Sequence, residues 1–185
     1  MRTLTIIAAM GAASSLCGVA AAAPDAPAAA ALAAKAEACI QSAAPAVAAQ
    51  PGSLVVGVDF LVDDLCASDV EHYDTYQNSA RLIEQLRNAA ATPAMNYGLV
   101  ATGASPEVLK SVEADAQAQV DKLTIDPQTG ELIEPPDFHP SQNFNIYLMS
   151  ANAAAMTTKP GSESNARFKA VAARALLAAR TPPAH

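Results

Sequence analysis

The chain has 185 residues, 51% of them hydrophobic but only 4% aromatic, with no Trp, and about a quarter of all positions are Ala. Its 18 acidic against 11 basic side chains leave a formal charge of −7, which argues against a nucleic-acid binder that works by displacing counterions from phosphates. Length and composition fit one domain, and a core built from Ala, Leu and Val must gain its stability from close helix approach, because each Ala removes little apolar area from water.

The first residues have the pattern of a cleavable export signal. Arg2 supplies a positive start, Leu4 to Val19 is largely apolar, and small residues follow at Ala20, Ala21 and Ala22, the arrangement signal peptidase requires. Cleavage is expected after Ala21 or Ala22, so residues 1–22 are read as a signal peptide and the protein as periplasmic or secreted. A membrane anchor is disfavoured because the apolar run is short for a span and no basic cluster follows it. Lipid attachment at Cys17 is disfavoured by the bulky Leu16 before it.

Loss of the leader leaves Cys39 and Cys66 as the remaining thiols. Two cysteines in an oxidising compartment predict a disulfide, worth about 3.5 kcal/mol in the chain-entropy account. Residues 23–31, rich in Ala and Pro, are expected to form a flexible lead-in, followed by one helical domain over 32–180 and a short tail over 181–185.

A first helix is predicted from about Ala28 to just before Pro45, since Pro disfavours helical geometry in the residue ahead of it. Leu32, Ala36, Cys39, Ile40 and Ala43 line its inner face at steps of three and four. Pro51 and Gly52 make a turn, and Ser53 is placed to cap a second helix. Leu54, Val58, Leu61 and Leu65 form the stripe of that helix, with Val55 and Val62 widening it and Cys66 at its edge. Ser68 and Glu71 have capping-box spacing, which predicts a new start there. Tyr73, Tyr76, Ala80, Ile83 and Leu86 then carry the apolar face toward Pro93.

A loop is expected over Thr92 to Ala104. Ser105 and Pro106 open the next helix as N-cap and first-turn Pro, with Val108, Val112, Ala116, Val120 and Leu123 inward. Asp126 to Gly130, set between Leu123-Thr124-Ile125 and Leu132-Ile133, predicts a hairpin that must lean on the helices, because two strands alone are marginal. Pro135, Pro136 and Pro140 mark an extended connector. Phe144 to Met156 carries both helical and strand spacing and is assigned to helix. A final helix is expected from about Ser164 to Arg180, with Phe168, Ala172, Ala175, Leu176 and Ala179 on one face and Arg167, Lys169, Arg174 and Arg180 flanking it. The fold class that follows is mostly α, a bundle of about five or six helices with one minor β-hairpin and a single disulfide.

Chemistry-bearing patterns are sparse. The chain has no Gly-x-Ser-x-Gly elbow, no His-Glu-x-x-His, no phosphate-cradling glycine loop and no Cys-x-x-Cys, so catalytic, cofactor and metal residues are not assigned and an enzyme is disfavoured. Asp59, Asp63, Asp64, Asp69, Glu71 and Asp74, with His72 nearby, form the densest charge cluster. It lacks the glycine and alternation of a calcium loop and is read as a solvated helix face, with metal binding and contact with a cationic partner as alternatives. Tyr73 and Tyr76 could stack a sugar ring but are assigned to the core. The basic last helix could lie on an anionic membrane. Its Ala-rich face favours packing in the domain instead, with the cations reaching outward beside the acidic segment. The functional expectation is an exported, non-enzymatic helical protein that binds a protein partner in the cell envelope. A membrane-surface protein using the last helix, and a small hydrolase or metal binder using residues 59–74, stand as alternatives.

Overall fold

The computed structural model describes residues 26–90, 103–138 and 162–181. Within them the chain forms α1 (Ala26–Ala48), α2 (Leu54–Asp59), a π-helical turn (Phe60–Leu65), α3 (Ala67–Ala90), α4 (Pro106–Val120), β1 (Thr124–Ile125), β2 (Leu132–Ile133) and α5 (Ser162–Arg180). The expected mostly helical bundle with a single hairpin is the observed architecture. The helix assigned to Phe144–Met156 and most of the loop assigned to Thr92–Ala104 lie outside the described residues, as does the segment read as a signal.

α1 begins at Ala26, inside the stretch 23–31 expected to be a flexible lead-in, and runs past Pro45 to Ala48. Ala is the strongest helix former, so an Ala-rich start needs little help to propagate once the following turns are docked. Leu32 and Ala33 supply that docking and are buried. Pro45 removes one helical hydrogen bond. It and Gln41, whose carbonyl loses the partner, both lie on the exposed side, where the acceptor is open to solvent. Ala44 and Val47 are buried on the other side and hold the last turn in place.

Ser53 caps α2 as expected, its hydroxyl accepting from the Val56 amide at 3.2 Å. The helix then widens. Cys66 N–H donates to the Leu61 carbonyl at 2.9 Å, five residues back, where an α-helix would reach only to Val62. The extra residue rotates the stripe that even helical spacing predicts. Val58, Leu61, Val62 and Cys66 face the core, whereas Leu65, expected inward, is 50% exposed and Val55 is 68% exposed. α3 starts at Ala67, with Val70 N–H bonded to the Cys66 carbonyl. Ser68 therefore sits in the first turn and is not the cap its spacing with Glu71 suggested. The new helix begins directly after the non-helical Cys66, one residue ahead of Ser68.

Among the described residues the apolar core falls into three clusters that share α3, the smallest being Leu32 of α1 with Tyr76 and Ala80. The largest packs Ala36, Ile40, Ala44 and Val47 of α1 with Val58, Leu61 and Val62, Cys66, Val70, and Phe168, Ala172 and Leu176 of α5. Small residues let the axes approach: a Cβ on Gly57 would lie 3.1 Å from Leu176 Cδ1 and 3.4 Å from Val47 Cγ1. The Cys39–Cys66 disulfide, with Cα atoms 5.9 Å apart, ties α1 to the end of the π-turn across this cluster. Another cluster joins Ile83, Leu86 and Ala90 of α3 to Ala116, Val120 and Leu123. α4 is opened as expected, Ser105 Oγ accepting from the Val108 amide with Pro106 in the first turn, although Val108 itself is exposed.

The hairpin pairs Thr124 with Ile133 and Ile125 with Leu132. Its turn is closed locally: Asp126 Oδ1 accepts from the Gln128 and Thr129 amides, and Gly130 N–H donates to the Asp126 carbonyl at 2.8 Å. Gly130, at φ +77°, rests on the backbone of α3 at His72 and Tyr76. Buried Ser79 donates its hydroxyl to the Gly130 carbonyl at 2.8 Å. The hairpin is thus pinned to the helix it was expected to lean on.

Candidate functional site

The acidic segment divides when it folds. Asp59 and Asp63 stand one turn apart and share a single cation, Lys169 of α5, whose ammonium lies 2.7 Å from Asp59 Oδ1 and 3.1 Å from Asp63 Oδ2. The hydrogen bonds to Asp59 and then Asp63 raise the Lys169 pKa above its ordinary value. Asp69 is paired with Lys35 of α1 at 3.0 Å. Asp63, Glu71 and Asp74 line a shallow groove of about 410 Å³ with Val62, Ala67, Val70, Thr75 and Asn78. His72 is not part of that lining, and its carbonyl faces Gly130. Among the described residues, no three His, Cys, Asp or Glu side chains converge as a metal cage would require. Much of the acidic charge thus anchors α1 and α5.

The tyrosines are committed in the same way. Tyr76 is buried. Tyr73 meets Phe168 edge-on, ring centroids 5.4 Å apart. The Arg167 guanidinium lies over both the Tyr73 and Phe168 rings at 5.6 Å. It also donates to Glu37 at 2.7 Å and to the Tyr73 hydroxyl at 3.3 Å. The Glu37 hydrogen bond comes first among the effects that raise its pKa. A sugar stacked on Tyr73 would have to displace this cation.

The cationic last helix is integrated in the fold. Phe168, Ala172 and Leu176 are fully buried against α1 and α2, with Lys169 and Arg167 bridging to acidic residues at the boundary. Leu177 is left as an exposed large apolar side chain on this helix. No described helix is long and apolar enough to cross a membrane.

What the fold leaves open is the outer side of the second helix. Val55, Val56, Phe60 and Leu65 of this segment are all exposed, Val56 at 64% and Phe60 at 39%. Val56 and Phe60, one turn apart, border an apolar groove of about 240 Å³ with Val47, Gly57 and the Gln50–Ser53 turn. At its rim Arg180 donates to the Gly52 carbonyl at 3.3 Å. Among the described residues no carboxylate is paired with Arg180. Even helical spacing turns Val55 and Leu65 inward and assigns Phe60 no role. A clue was available: Val56 and Phe60 repeat at helical spacing off the Leu54-Val58-Leu61 stripe, so a helix with one buried face must expose them. Compared with protein-family models, with curated proteins and with solved structures, the chain matches none.

Proposed function

We propose that this is an exported, non-enzymatic helical protein that binds a protein component of the cell envelope through the outer side of its second helix. The observation that carries the reading is the run of exposed Val55, Val56, Phe60 and Leu65 on one short segment. Clustered apolar side chains exposed beside a groove mark association surfaces, whereas scattered ones need no explanation. Arg180 at the groove's rim favours a partner segment that presents an apolar side chain next to a carboxylate, because a guanidinium binds carboxylates in paired hydrogen bonds. The cysteine pairing supports an oxidising location, and the pattern from Arg2 to Ala22 supports export. The basic helix is a poor membrane anchor, since Phe168 and Leu176 are spent in the core, and the acidic segment is a poor metal site, since Asp59, Asp63 and Asp69 neutralise lysines.

The test places a photo-crosslinking side chain at Phe60, or at exposed Asp115 on α4, in the exported protein. An adduct of discrete mass is expected from position 60 alone, and Arg180→Glu should abolish it. Equal labelling from both positions, or an adduct indifferent to Arg180, overturns the proposed face. The intact mass of the exported chain should correspond to a start between Ala20 and Ala23, and recovery only as the full chain with Met1 would overturn the export reading.

A further inference from the structure

We infer that the Cys39–Cys66 bond sets the register of the second helix, so that oxidation turns Leu65 out to solvent and reduction returns it to the core. This deepens the proposed binding face, of which Leu65 is one side chain, and rests on that reading only for its consequence to a partner.

Regular helical spacing aligns Leu65 with Leu54, Val58 and Leu61 and leaves Cys66 at the edge of the stripe. The folded protein has the reverse, with Cys66 1% and Leu65 50% exposed. The inversion is produced by the π-turn, in which the Cys66 amide reaches back to Leu61 at 2.9 Å. Such wide turns are rare in helices. Here one is held by a covalent demand: for Cys66 Sγ to reach Cys39 on α1, Cys66 must face inward.

Breaking the bond removes that demand. A dithiol reductant supplies two electrons and two protons; the Sγ–Sγ bond is cleaved to two thiols, and the reductant closes to its own disulfide. A disulfide oxidant reverses the step by thiol–disulfide exchange. In the reduced chain the Cys66 amide can bond the Val62 carbonyl as in an ordinary α-helix, which rotates Leu65 inward. Leu has more apolar area to bury than Cys. The inward place is filled by Cys66 in the oxidised protein, and it is vacated for Leu65 when Cys66 turns back to the edge of the stripe. The rotation does not need to propagate. Cys66, at φ −110° and ψ 13°, is a non-helical joint between the π-turn and α3, and it can absorb the change while α3 stays docked.

The experiment uses the full chain and a soluble gadolinium chelate as a paramagnetic probe of leucine methyl groups. In the oxidised protein Leu65 should broaden as strongly as exposed Leu177. With dithiothreitol, Leu65 broadening should fall to the level of buried Leu61 while Leu177 is unchanged. The Cys39→Ala/Cys66→Ala double variant should match the reduced protein without any reductant. Equal broadening of Leu65 in the two states overturns the inference, as does loss of the dispersed methyl spectrum in both the reduced protein and the double variant. The readout involves no partner, so failure here leaves the crosslinking result at Phe60 untouched. Failure of that crosslink with an intact register change would remove the binding face alone.

Discussion

Replacing Gly130 with Ala tests whether the hairpin is pinned to α3 by backbone contact. Gly130 has φ +77°, a conformation that costs an L-residue roughly 1–2 kcal/mol. The added Cβ would also lie 2.8 Å from Tyr76 Cα and closer still to the His72 carbonyl oxygen and the Tyr76 nitrogen. All three are atoms of a packed helix and cannot swing aside as a side-chain tip would. The hairpin must lift, and lifting breaks the buried Ser79–Gly130 hydrogen bond of 2.8 Å, which adds about 1–3 kcal/mol for stranded polar groups. The combined loss is about 2–5 kcal/mol, a large share of a domain stability of roughly 5–15 kcal/mol. Gly103 provides the control: it has φ +74°, but nothing lies within 4 Å of its Cβ position. Urea unfolding followed by circular dichroism should show Gly103→Ala losing only the backbone cost of about 1–2 kcal/mol, with Gly130→Ala losing clearly more. Equal midpoints for the two variants would refute the contact argument.

Phe168→Ala should cost about 3–5 kcal/mol, because it empties a fully buried site and removes the edge-on contact with Tyr73; a melting temperature close to that of the parent would place α5 outside the core. Lys169→Met should lower the melting temperature slightly at neutral pH by leaving Asp59 and Asp63 without their shared cation. The Lys169 pKa is raised in the folded state from an ordinary 10.5. Its contribution is therefore fully present below that value and disappears as the pH rises through the higher folded value, so the gap between parent and variant should close at strongly alkaline pH. A gap that persists there would mean that Lys169 acts through packing. Reducing the disulfide should lower stability, read as a drop in the urea midpoint, by at most about 3.5 kcal/mol, the loop-entropy value for a bridge of 27-residue separation, since burial of Leu65 offsets part of the loss.

Much of this fold was legible because it is decided within a few residues. Ser53 and Ser105 cap the helices they were expected to cap, since an N-cap needs only a hydroxyl within reach of the next amides. The hairpin follows from Asp126 closing the turn and Gly130 taking the positive φ. The helical repeats of α1, α3 and α5 bury Leu32, Ala36 and Ile40, Tyr76, Ala80, Ile83 and Leu86, and Phe168, Ala172 and Leu176 as expected, whereas Ala179, expected on the same face of α5, is exposed in its last turn; Cys39 and Cys66 pair as expected.

The remaining features were decided by contacts between distant segments. Pro45 would end an isolated helix, but Ala44 and Val47 docked in the core keep α1 intact around it. Ser68 has no capping role because the helix break falls at Cys66, where the π-turn ends, and α3 starts at Ala67. The candidate binding face was misread for the same reason: strict α periodicity puts Leu65 inside, and only the crosslink between α1 and the second helix pulls Cys66 into that place. Local spacing determines which residues can share a face. Which face turns to the core is a matter of what packs against it, and here a bond to Cys39 outweighed the preference of Leu65 for burial.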